Sequence, residues 1–144
     1  MKVSIEIVGM EKLLKDMENM KGDIGKAVKK GIDRTANEIS KDASKKLKAD
    51  GHIITGRLFA SIHPEYKKGE NFGYTDKDGK SFDGSLGVPI AKDEAVAGTN
   101  VKYAPFIELG TKYITADSFL GFAAIKQSKL IVGRIREELN KIKT

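Results

Sequence analysis

Cysteine and tryptophan are absent from this chain, histidine occurs only at His52 and His63, and proline only at Pro64, Pro89 and Pro105. The lack of cysteine excludes a disulfide framework and a thiolate metal site, and it fits a reducing compartment. Stability must then come from packing or from assembly. No stretch approaches the roughly 20 consecutive apolar residues of a membrane helix, so the chain is expected to be soluble, with no membrane partner. The opening residues MKVSIEIVG alternate apolar and polar in place of the continuous apolar core of a signal peptide. Secretion by that route is not expected.

What the chain does contain is charge, together with enough apolar material for one core. At 144 residues and 15.8 kDa it is read as a single α+β domain over 1–144, because two domains would each approach the size at which a core becomes marginal. Apolar residues make up 40% and charged ones 32%, which implies a heavily solvated surface. The formal charge of +6 and a pI near 9.4 invite a nucleic-acid reading, since clustered Lys and Arg neutralise phosphates and release counterions. Here the lysines are spread among acids and no basic stripe is interleaved with aromatics, as in solvated helical faces. A basic DNA-associated protein is kept as the alternative function, and direct DNA contact stays open.

Val3, Ile5 and Ile7 fall at period two and predict a short first strand ended by Gly9. Met10, Leu13, Leu14 and Met17 predict a short amphipathic helix. Ile24, Val28, Ile32, Ala36, Ile39, Ala43 and Leu47 then recur every three or four residues and predict the main helix over 23–48. At about 1.5 Å per residue it would span roughly 40 Å, long enough that part of its apolar face is expected to meet another subunit or a long partner helix. An ordered segment is expected at 55–62 and a strand within 62–68, with Pro64 arguing for an edge strand or a strand beginning. Residues 69–88, rich in Gly, Asp and Lys, read as an extended loop or long hairpin, mobile on its own. A short strand is expected over 94–98. A final helix from about Phe119 to Lys143 is signalled by Leu120, Ala124, Ile131, Ile135, Leu139 and Ile142, with Asp117 or Ser118 as its N-cap. The expected fold is α+β: an N-terminal strand, a long amphipathic helix and a C-terminal helix packed on a small antiparallel sheet, with an extended Gly-rich loop.

The chemical motifs are weak when tested. Gly73 to Ser81 imitates a phosphate-binding loop, but five residues separate its glycines where four are required, and Gly84 and Gly87 oppose the helix that should follow. A calcium loop from Asp76 would place Lys80 at its fifth position, Ser81 at its sixth and Gly87 at its twelfth, where an acid is needed. His52 and His63 lack a second ligand at i+4. Ser61 lies close in sequence to His63, but no nucleophile elbow is present. No catalytic, cofactor-binding or metal-ligating residue is assigned, no cofactor is expected, and an enzyme is not expected.

The stretch YAPFIELGTKYITADSFLGF gathers Tyr103, Phe106, Tyr113, Phe119 and Phe122 around Glu108 and the Gly110-Thr111 corner. An ionised carboxylate among apolar groups costs several kcal/mol unless paired, so Glu108 must point outward or find an arginine or backbone N–H donors. Arg57 is the expected partner, since a guanidinium meets a carboxylate bidentately. The aromatics are read as anchors that fix the corner, with Gly110 allowing the turn and Phe119-Leu120 seating the helix.

Two segments together carry a resemblance. Thr55-Gly56-Arg57-Leu58-Phe59-Ala60-Ser61-Ile62, followed by Gly98-Thr99-Asn100-Val101-Lys102-Tyr103-Ala104-Pro105-Phe106-Ile107-Glu108-Leu109-Gly110-Thr111 and then Ser118-Phe119-Leu120, resembles the gene-ten family of lambda-like (HK-type) tailed phages. The similarity covers about 55–124. The family usually has prolines around the Phe-Leu pair, where this chain has Ser118 and Phe122, so capping is left to Asp117 or Ser118. The resemblance implies a non-enzymatic virion protein of the neck or upper tail, acting in head–tail joining or tail completion. Its copies would form a ring, expected to be hexameric, between the head connector and the tail tube. The implied partners are further copies of the chain, the head-completion or stopper protein, the tail terminator and the tail tube. The implied location is the virion, with the host cytoplasm during assembly. The motif residues implied in structure or interaction are Arg57, Leu58, Tyr103, Phe106, Glu108, Gly110, Thr111, Phe119 and Leu120.

Overall fold

The computed structural model describes residues 3–6, 22–52 and 56–142. The elements run β1 (Val3–Glu6), α1 (Gly22–Ala49), α2 (Arg57–Ser61), β2 (His63–Glu65), β3 (Gly73–Thr75), β4 (Ser81–Asp83), β5 (Val96–Thr99), α3 (Ala104–Leu109), α4 (Phe119–Ser128) and α5 (Ile131–Ile142). This is the expected α+β arrangement of helices on a small antiparallel sheet. The short helix expected around Met10–Met17 lies outside the described residues.

β5 is the middle strand of a three-stranded antiparallel sheet in the order β1-β5-β2, with Val3 opposite Thr99 and His63 opposite Gly98. All four of its residues are buried, so both faces must be covered. The period-two alternation divides them. Val96 packs with Leu86, Ile90 and Val88 on one side, and Ala97 joins the main core on the other. Pro64 sits in β2, an edge strand, one of its two expected placements, where a missing N–H costs no ladder bond.

α1 buries Ala27, Val28, Gly31, Ile32, Thr35, Ala36, Ile39, Ser40, Ala43 and Leu47 along one stripe at helical spacing. Its partners are α4, α5, β2 and β5, all from the same chain. The expectation of surplus apolar surface on this helix is corrected: no exposed large apolar residue lies on it. Two C-terminal helices laid end to end cover nearly its whole length. The helices approach closely at Gly31, where an added Cβ would lie 2.5 Å from Ile135 Cγ1.

Those two helices replace the single final helix expected from periodicity. The break falls between Ser128 and Ile131. The Leu130 N–H donates to the Gln127 carbonyl, which also accepts from the Arg134 guanidinium at 3.5 Å. Arg134 further donates to the Gln127 side-chain oxygen and to Thr35 Oγ1 at 3.1 Å, while Gln127 Nε2 donates to Asp42 at 2.5 Å. The break is therefore tied to α1 by a polar network.

β3 and β4 form the hairpin expected in 69–88, with Tyr74 opposite Phe82. It is packed, contrary to the expectation of a segment mobile on its own. Phe72 stacks on the His63 ring at 3.7 Å, Tyr74 on Phe82 at 5.3 Å, and the Arg57 guanidinium lies 4.2 Å from the centre of the Phe82 ring. This aromatic ladder joins the hairpin to α2 and β2.

Candidate functional site

Most of the motif residues lie at the corner where α3, the 110–117 turn, the N-terminus of α4 and the C-terminal end of α1 meet, while Arg57 lies against the β3–β4 hairpin. Pro105, in the first turn of α3, needs no N–H partner there. At the other end Gly110 has φ 77°, a left-handed value that favours glycine. A Cβ on it would lie 2.8 Å from the Ala116 nitrogen, so the turn closes too tightly for any side chain. Thr111 braces the turn: its N–H donates to the Ile114 carbonyl at 2.8 Å, and its Oγ1 accepts the N–H groups of Tyr113 and Ile114 at 3.1 and 3.0 Å. The Asp117 N–H then donates to the Ile107 carbonyl at 2.8 Å, folding the turn back on α3.

That closure sets Glu108 against the first turn of α4. Its carboxylate accepts the Leu120 N–H at 2.9 Å, the Gly121 N–H at 2.9 Å and the Ser118 hydroxyl at 2.7 Å. A helix N-terminus leaves its first N–H groups without intrahelical partners, and its dipole favours a negative charge there. Glu108 supplies both needs from a different helix. The expected Glu108–Arg57 ion pair is corrected, since backbone N–H donors at a helix start satisfy the carboxylate. Arg57 instead donates to the Tyr74 hydroxyl at 3.2 Å and stacks on Phe82.

The expected capping by Asp117 or Ser118 is corrected as well. Ser118 occupies the cap position but makes no side-chain cap bond, its hydroxyl being turned to Glu108. Asp117 faces α1: Oδ1 lies 3.0 Å from Lys46 Nζ, and Oδ2 lies 2.9 Å from His52 Nε2 without the alignment of a hydrogen bond. Lys46 also pairs with Asp50 at 2.6 Å and lies 5.3 Å from the centre of the Phe122 ring. Its hydrogen bond to Asp50, then that to Asp117, holds its pKa above the ordinary lysine value.

Of the remaining motif residues, Phe119 and Leu120 are fully buried and seat α4 in the core with Leu58, as expected. Tyr103 and Phe106 are not anchors of the corner: they are 39% and 56% exposed. Sequence reasoning missed that Leu109, Ile114 and Ile125 join them at the surface, and it counted the equally exposed Tyr113 and Phe122 among the corner's aromatics. The available signal was α4 itself, FLGFAAIKQS, apolar on both faces, when a helix on a surface normally shows one apolar stripe.

Other groups with chemical potential are engaged elsewhere. The His63 ring, buried in β2, has Nδ1 at 2.7 Å from the Ser61 carbonyl and Nε2 at 2.7 Å from Glu65 Oε2. Glu65 also accepts the Leu86 N–H at 2.8 Å. The Ser61 hydroxyl meets Leu58 O and Thr99 Oγ1, not the histidine, so the two do not form a nucleophile–base pair. Among the described residues no cluster of three or more histidines or acids is placed to hold a metal ion, and no helix is long and apolar enough to cross a membrane. A cleft between α1 and α5 is lined by Lys30, Asp33, Arg34, Asn37, Tyr66 and Glu138. Its charges are mixed in sign and several are paired, as in the Arg34 bonds to Glu137 at 3.0 Å and Glu138 at 3.1 Å.

The corner thus amounts to a rigid mount that holds apolar side chains outward, with its acids consumed internally. In comparisons with known proteins, no family model, no curated protein and no solved structure matches this chain.

Proposed function

We propose that the chain is a structural protein of a tailed-phage or prophage virion, placed in the neck or upper tail, where it acts in head–tail joining or tail completion. Copies form a ring, hexameric in this reading, between the connector and the tail tube, in contact with the stopper, terminator and tube proteins. The role is non-enzymatic. The support begins with the resemblance carried by the segments 55–62, 98–111 and 118–120. The single observation that carries it is the work those motif residues do: Glu108, Gly110, Thr111, Phe119 and Leu120 build a braced corner that presents exposed apolar side chains. Such a surface suits assembly, where a contiguous apolar patch finds a protein partner.

The test is deletion of the reading frame from an inducible prophage or phage that carries it. The expected outcome is filled heads and separate tails, rescued by the wild-type chain in trans, with the chain detected in purified particles. Normal infectious particles without the chain would end this reading. Tight binding to duplex DNA that weakens steeply with salt would instead support the basic DNA-associated alternative.

A further inference from the structure

We infer that the face formed by α3, the 110–117 turn and the outer side of α4 is where two copies of this chain join; the inference rests on the assembly reading above. Phe106 and Leu109, three apart on α3, share one face of that helix, and they are 56% and 74% exposed. Phe122 and Ile125, three apart on α4, are 48% and 65% exposed, while Phe119, Leu120 and Ala123 on its other side are buried. Between the two helices the braced turn carries Tyr113, 88% exposed, and Ile114, 44% exposed. The three bonds from Glu108 to Ser118, Leu120 and Gly121 hold α3 beside the start of α4, so the exposed sets flank one joint.

Area decides what covers them. With aromatic side chains offering about 150–250 Å² each, these residues and Tyr103 leave on the order of 700 Å² of apolar surface in water. Summed over the joint, that approaches the about 800 Å² per partner of a stable protein interface. A peptide or a small ligand would leave much of it wet, whereas a second folded copy would cover it.

The centre of the face is also prepared for binding. Tyr113 and Leu109 stand on a turn and a helix end whose backbone is already hydrogen-bonded, so ordering costs little on association. Tyrosine on such a support is the residue type that dominates interface energies. The acids in the joint are engaged internally, Glu108 by its three donors and Asp117 by Lys46, while Lys102, Lys112 and Lys126 are exposed around it. Two copies, each of net charge +6, repel one another weakly across water, and salt screens that repulsion. Self-association should therefore strengthen with salt, the opposite of binding to an acidic partner.

The experiment is sedimentation velocity on the full chain over a concentration series at low and high sodium chloride, with circular dichroism on every variant. Wild type is expected to self-associate, more tightly at high salt. Leu109→Glu and Tyr113→Ala should each raise the dissociation constant about 30-fold or more, the range of an interface hot spot. Both should keep the wild-type dichroism, because the replaced side chains are exposed. Asn37→Ser, a charge-neutral change in the α1–α5 cleft, should leave association unchanged. A folded wild type that stays monomeric at every concentration and salt overturns the inference, as does self-association that Leu109→Glu and Tyr113→Ala leave untouched. Binding of a hydrophobic dye that appears only when Leu13 and Leu14 are replaced by serine would assign the face to the chain's own N-terminal segment, and also overturns it. None of these outcomes touches the head–tail reading, which is lost only if the chain is missing from particles.

Discussion

The Glu108 carboxylate accepts the Gly121 N–H at 2.9 Å, joining the end of one helix to the start of the next across the 110–117 turn. The same oxygen, Oε1, also accepts the Ser118 hydroxyl, and a Cβ on Gly121 would lie 2.9 Å from Oε1 and 2.6 Å from Ser118 Oγ. Glycine at 121 is what lets the carboxylate reach the backbone.

Glu108→Ala removes a cap from α4 and should cost about 1–2 kcal/mol, the upper part of the range for N-cap loss. Gly121→Ala should destabilise by a similar order, because the cap is pushed away even though alanine favours a helix. Urea denaturation of both single variants and the double variant checks the coupling. If Glu108 acts as the cap, the double variant loses clearly less than the two singles added together.

Gly31→Ala tests the closest helix contact. Alanine gains up to about 1 kcal/mol of helix propensity over glycine. Against this, the new methyl would lie 3.0 Å from the Ile135 Cα and 2.5 Å from its side chain, a backbone contact that cannot be relieved by rotation. Overpacking of about 1–3 kcal/mol outweighs the gain, so the melting temperature should fall. Gly31→Ala combined with Ile135→Ala should recover little of the loss, because the backbone contact persists.

Lys29 works as a staple. Its ammonium donates to Asp33 at 2.7 Å, to the Tyr66 carbonyl at 2.6 Å and to the Glu94 carbonyl at 2.5 Å, so all three protons are used and α1 is pinned to the ends of two loops. Lys29→Met keeps the stem and strands the acceptors. A loss of about 1–3 kcal/mol in chemical denaturation is expected, with faster amide exchange in the segments around Tyr66 and Glu94 as the local signature.

Acid should act on stability through four carboxylates, in two opposite senses. The hydrogen bond from Lys141, aided by Arg34, holds Glu138 below its ordinary 4.5; the Ser85 backbone N–H holds Asp83 below 3.8, and Lys46 does the same for Asp50. For a lowered folded value, the unfolded chain binds the proton first, so the stabilisation is complete above about pH 4.5 and is lost as pH falls through the folded values. Asp33 acts in the opposite sense: burial raises its pKa despite Lys29, and its protonation relieves a cost. On acidification Glu138, Asp83 and Asp50 therefore lose stabilisation while Asp33 gains it. Urea midpoints followed through the acid range should drop less steeply in Glu138→Gln and more steeply in Asp33→Asn.

Much of the architecture was legible because it rests on local periodicity. The stripe from Ile24 to Leu47 predicted α1 within a residue or so at each end, and of the edge or strand beginning that Pro64 pointed to, the sheet order shows the edge. The break after Ser128 was not legible, since no glycine or proline marks it and the contacts that brace it join Arg134 to a carbonyl seven residues back and to Thr35 on a distant helix. The partner of Glu108 was equally hidden. Charge complementarity points to an arginine, and only the closure of the Gly110 turn places unsatisfied N–H groups nearer.

Composition and pattern alone determined an α+β fold with a long amphipathic helix and one acid among aromatics. These follow from residue chemistry and spacing, which act over a few neighbours. Only the tertiary structure decided that α1 is covered by its own chain, that Glu108 caps α4, and that Phe106, Leu109, Tyr113, Phe122 and Ile125 face solvent while Phe119 does not. Which face of an apolar segment is buried depends on where the rest of the chain returns in space. That is settled by the packing of residues far apart in sequence, which local pattern does not encode.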